Sequence, residues 1–186
     1  EAGAARDALA RGVAALAAGG GPVSAVLVGD AALAAGEPGL ARGAYEAAGT
    51  EGRAGALALL GRAEAALAEG RIDPALSAAA AAGVKAASMA MDDIGFSADW
   101  LRAEAFRRAG RAKEARAAFE EAFQTLRGFR ARSPLGAPPA TGARRFAPRP
   151  FQLDYIDFLL KQDRGPIALD AARTLAEDLK LDEVDD

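Results

Sequence analysis

Residues Ala56–Ala82 read ALALLGRAEAALAEGRIDPALSAAAAA. Two alanine-rich stretches flank Gly70. Alanine is the strongest helix former, because its methyl group loses no rotamer freedom in a helix. Glycine ends a helix and lets the chain reverse. The segment therefore reads as a helix, a turn and a second helix. Two more segments line up with it. Pro22–Ala48, PVSAVLVGDAALAAGEPGLARGAYEAA, turns at Gly36, and Phe96–Ala122, FSADWLRAEAFRRAGRAKEARAAFEEA, turns at Gly110. Gly36 and Gly70 are 34 residues apart and Gly110 follows after 40, which places six extra residues near Ser88–Ile94.

Anchored on these glycines, the small residues also align. The close-contact position of the first helix holds Gly29, Ala63 and Ala103, and the start of the second holds Ala41, Ala75 and Ala115. Four residues on, a larger core position holds Tyr45, Ala79 and Phe119, followed by Ala48, Ala82 and Ala122. Two antiparallel helices touch where small residues sit, and a bulky residue fills the gap to the next pair. This pattern resembles the tetratricopeptide (TPR) repeat, a 34-residue helix-turn-helix with A-x₃-F in its second helix.

The edges carry partial copies. Ala2–Leu16, AGAARDALARGVAAL, resembles a second helix alone, with Gly3, Ala8 and Ala15 in place and Gly12 at the bulky position. Leu153–Leu179 resembles a last repeat, with Ala168 at the start of its second helix, Asp163 where the turn glycine belongs and Ala172 for the bulky residue. The expected fold is all-α: a TPR-like α-solenoid of antiparallel helix pairs, with about nine helices in a right-handed superhelical arc. It forms one domain over residues 1–186, with a Pro/Arg-rich loop at 127–150 before the last helix pair. That loop, RGFRARSPLGAPPATGARRFAPRP, has six arginines, five prolines and no acid. Its proline density excludes a continuous helix. It reads as a solvated linker, the alternative being a basic arm with Phe129, Phe146 and Phe151 placed to stack on bases.

Composition narrows the chemistry. Alanine fills 52 of 186 positions, and aromatics are only 6 %, which argues against an all-β fold. Cysteine and histidine are absent. That removes disulfides, thiolate nucleophiles, Ser-His-Asp and Cys-His catalysis and His- or Cys-ligated zinc within this chain. The sequence contains no G-x₄-G-K-[ST] and no G-x-S-x-G. Asp92 and Asp93 read as a helix N-cap or turn rather than a cation site. The acidic tail, Glu177–Asp186, reads as a solvated end. No enzyme activity, cofactor or metal is expected. A net charge of −3 argues against a nucleic-acid surface. Residues 12–29 carry no charge, but Gly19-Gly20-Gly21-Pro22 splits them, so no membrane span is expected. The chain opens on Glu1 and in mid-repeat, as a processed or excerpted sequence would, and its expected setting is the bacterial cytoplasm or periplasm.

The resemblance to TPR proteins implies a scaffold that binds a protein or peptide partner. In such stacks the first helix of each pair lines the concave side. One position there holds Asp30, Glu64, Glu104 and Asp157, all acidic. Four residues earlier stand Val26, Leu60, Trp100 and Leu153, all apolar. An i, i+4 pair shares one helix face. The two rows are therefore expected to form a peptide-binding groove for a partner with basic and apolar residues, with Trp100 as anchor. The competing account makes the acids merely solvated and the apolar row core. The final segment, YIDFLLKQDRGPIALDAARTLAEDLKLDEVDD, is also similar to the repeat that precedes the peptidase domain of bacterial TPR–CHAT proteins. That resemblance implies the alternative of a regulatory portion of a larger enzyme.

Overall fold

The computed structural model describes residues 7, 9, 11, 12, 15, 19–132, 148–162 and 169–177. The described residues are helical or in turns, with no strand among them, so the chain is all-α. The chain divides into two compact units, Glu1–Pro134 and Leu135–Asp186.

In the first unit, α1 (Pro22–Ala34) and α2 (Pro38–Ala47) form one hairpin, α3 (Gly52–Ala68) and α4 (Ile72–Ser88) a second, and α5 (Asp92–Arg108) and α6 (Ala112–Arg132) a third. Pro22 and Pro38 open their helices, where the missing N–H is no loss. The three hairpin turns are closed alike. Gly36, Gly70 and Gly110 take φ of +75°, +72° and +69°, a left-handed conformation that only glycine adopts without penalty. The next N–H reaches back across the turn: Glu37 donates to the Ala32 carbonyl at 2.9 Å, Arg71 to Ala66 at 2.8 Å and Arg111 to Phe106 at 2.9 Å. These are Schellman closures, which satisfy carbonyls left open at a helix end.

Each helix packs on the next, and the first helices also pack on one another, α1 on α3 and α3 on α5. Alanine makes this close approach possible. Ala32, Ala41, Ala56, Ala63, Ala103 and Ala115 are all fully buried. The bulky positions behave as the alignment expects, with Tyr45 and Phe119 both at 0 % exposure.

The six extra residues of the longer repeat lengthen a helix. The second helix α2 has 10 residues and α4 has 17, while the first helices α3 and α5 both have 17. The expected loop at 127–150 is shorter than the sequence suggests. Residues 127–132 continue α6, which has no proline before Pro134 and is held by buried Phe119, Ala122 and Leu126. Residues 148–150 open α7 (Pro148–Gln162), since prolines are tolerated in a first turn. The remainder, 133–147, lies outside the described residues.

In the second unit, α7 buries Phe151, Tyr155, Phe158 and Leu159, and helical residues 169–177 bury Ala172 and Leu175. Asp163 and Ala168, expected at the turn and at the start of the last helix, lie outside the described residues.

Candidate functional site

Two of the four residues of the expected apolar row are interior. Val26 is 6 % exposed, in one core cluster with Tyr45 of α2 and Ala58 and Ala65 of α3. Leu60 is 1 % exposed, clustered with Ile94 and Ala98 of α5. The packing of α1 on α3 and of α3 on α5 closes these positions, so Val26 and Leu60 are core residues rather than groove contacts. Trp100 is half-buried, tilted at 48° against Phe96 with centroids 6.1 Å apart. Leu153, in the second unit, is 54 % exposed.

Three members of the acidic row, Asp30, Glu104 and Asp157, accept hydrogen bonds from the protein's own donors. Asp30 accepts the Tyr45 hydroxyl at 2.7 Å. Glu104 accepts Arg107 Nε at 2.7 Å and Arg108 Nε at 2.6 Å. Arg108 also reaches the Leu67 carbonyl at 2.8 Å, linking α5 to α3. Glu64 is half-buried on α3. Asp157 accepts Lys161 Nζ at 2.8 Å within α7. Glu104 and Asp157 thus bond within their own helices, and Asp30 ties α1 to α2.

A different concavity lies across α4, α5 and α6. One lobe, of about 460 Å³, is lined by Ala80, Gly83, Val84, Ala87, Met91, Gly95, Asp99, Arg102 and Thr125, among others. An adjoining lobe of about 530 Å³ shares Asp99 and Thr125 and adds Ala117, Glu120, Glu121 and Gln124. Both volumes fall within the usual range of ligand clefts. Arg102 Nη1 donates to Asp99 at 2.9 Å and to Glu121 at 3.0 Å, so one guanidinium serves two carboxylates. Burial pushes the Asp99 carboxyl above the ordinary 3.8; Arg102 opposes the shift and Glu121 adds to it.

No known protein family, curated protein or solved structure matches the chain. The chemistry of the site is thus read from its side chains. Among the described residues no group of three metal-ligating side chains comes together. Asp92 and Asp93, in the first turn of α5, are ion-paired: Asp93, 5 % exposed, with Arg53 of α3, and Asp92 with Arg132 of α6. Both also sit where the helix dipole favours a negative charge. Among the described residues no helix is long and apolar enough to cross a membrane.

The cleft was not foreseen from the sequence, although each of its two helical walls has a recognisable pattern. Residues 80, 83, 84 and 87 share one face of α4, and 92, 95, 99 and 102 one face of α5, at helical spacing. Ala80, Gly83 and Ala87 on the first face and Gly95 on the second, with Asp99 and Arg102 beside it, mark walls that do not fill the space between helices.

Proposed function

We propose that this chain is a TPR-like solenoid that serves as a protein-binding scaffold. The observation that carries the reading is the threefold repetition of one hairpin. Each is closed by the same glycine turn, and the first helices α1, α3 and α5 pack in succession. Stacked hairpins present extended surfaces made from equivalent positions of successive repeats, and such surfaces suit a partner segment that touches several repeats at once. Side chains of alanine and glycine have no rotamer freedom to lose, so a partner docking on them meets a pre-ordered wall.

Selection of displayed peptides on the immobilised full chain tests this. Enriched peptides should bind saturably, one per chain, and compete with one another. A library that yields no saturable binder would remove the reading. So would an experimental structure in which the three hairpins do not stack in sequence order.

A further inference from the structure

We propose that the two-lobed cleft across α4, α5 and α6 holds a short segment of a partner protein, with an apolar side chain in the small-residue lobe and a lysine or arginine in the acidic lobe. This rests on the scaffold reading above and adds its location and partner chemistry.

The shape favours a polypeptide segment. The lining runs from residue 80 to 87 on α4 and from 92 to 102 on α5. At 1.5 Å per helical residue the α5 wall is about 15 Å long, which matches about three turns of helix or about five extended residues. The first lobe is walled by Ala80, Gly83, Ala87 and Gly95. At its rim Val84 is 73 % exposed, the most exposed large apolar side chain among the described residues. An apolar side chain seated there covers Val84 and meets walls that need no rearrangement.

The charge favours a cation in the second lobe. Asp99, Glu120 and Glu121 face it, and the one guanidinium on this stretch of lining, Arg102, is shared between Asp99 and Glu121. The balance of this group is negative. A second cation entering beside Arg102 takes the net charge of these four groups from −2 to −1. Asp99 is already partly desolvated, so a charge brought to it is screened less than one at an open surface.

The test uses the full chain and a defined set of fluorescein-labelled synthetic peptides. The lead peptide carries a leucine and an arginine about one helical turn apart. Matched peptides replace the arginine with glutamate or the leucine with alanine. The lead peptide should bind at least about tenfold more tightly than the glutamate peptide. In the Glu120→Lys, Glu121→Lys variant this preference should invert. Ala87→Phe places a ring in the apolar lobe from an exposed position and should abolish discrimination between leucine and alanine. Glu46→Lys, a charge reversal on α2 away from the cleft, should leave all affinities as they were. Circular dichroism melts confirm that each variant is folded. If selected peptides bind but ignore both cleft variants, the cleft assignment falls while the scaffold reading stands. If no peptide, defined or selected, binds the parent chain, both fall.

Discussion

A methyl group on Gly61 would stand 2.2 Å from Cζ of Tyr45. The Tyr45 ring, fully buried, also passes Gly29, where a methyl group would stand 2.4 Å from Cε1. A tyrosine of α2 is thus seated between helical glycines of α1 and α3, with its hydroxyl on Asp30. The smallest residue is required at two places because the largest side chain of this core lies between them.

Gly61→Ala should therefore destabilise the fold despite alanine's advantage in a helix of about 1 kcal/mol. The overlap cannot be relieved by a fully enclosed ring, and the expected net cost is about 1–3 kcal/mol. In a Tyr45→Leu background the same change should become neutral or stabilising. Urea unfolding of the two single variants and the double variant measures this coupling. Additive effects would show that the ring and Gly61 do not meet.

Ala90 closes the α4–α5 turn with φ of +51°, and Met91 N–H reaches the Ala86 carbonyl at 2.9 Å, as in the three glycine turns. A left-handed alanine costs about 1–2 kcal/mol, part of which glycine returns as greater freedom in the unfolded chain. Ala90→Gly should raise stability by about 0.5–1 kcal/mol. The reverse change at an equivalent turn, Gly70→Ala, should lower it by a similar amount. An unfolding midpoint that fails to rise in Ala90→Gly would contradict the turn geometry.

The helical hairpins were legible because their determinants are local. Alanine propensity, the turn glycines and the alignment of Gly29 with Ala63 and Ala103 all act within one repeat. The longer α4 was less legible, since a gap in an alignment does not say whether the extra residues coil or extend a helix. The burial of Val26 and Leu60 was not legible, for a non-local reason. Val26 and Trp100 occupy equivalent positions, yet Val26 is enclosed and Trp100 is half-buried. Their exposure depends on how neighbouring hairpins stack, and periodicity within one helix carries no record of that. The α4–α5–α6 cleft arises from the same stacking, so small residues on two separate helices pointed to it only once the helices were placed together.

Asp99 offers a pH-dependent readout of that cleft. Burial raises its carboxyl above 3.8, Arg102 lowers it by charge and hydrogen bond, and Glu121 raises it. Carbon-13 NMR titration should find Asp99 above 3.8. Arg102→Met should move it further up and Glu121→Gln should move it down. In the window between the unfolded value and the raised folded value, the folded state holds the extra proton. Stability therefore falls as pH rises through that window. Asp99→Asn should remove this part of the slope. A titration at or below 3.8 in the parent protein would show that burial does not outweigh the pull of Arg102.

Gln152 carries the last prediction. It lies on α7 at 0 % exposure, and among the described residues neither its amide oxygen nor its amide nitrogen has a hydrogen-bond partner. An amide enclosed in this way has given up its water and received nothing in return, a penalty of about 1–3 kcal/mol. Methionine has a similar volume and no strong polar atom. Gln152→Met should therefore stabilise the second unit by about 1–3 kcal/mol. Hydrogen exchange of the α7 amides, read alongside the global unfolding midpoint, distinguishes a gain in this unit from one elsewhere. Gln152→Glu should act in the opposite direction, because a carboxylate at that position must either lose its hydration or take up a proton. Its destabilisation should ease as the pH is lowered. If Gln152→Met instead lowers stability, the amide has a bonding partner in solution and the site is a satisfied polar contact rather than an unpaired one.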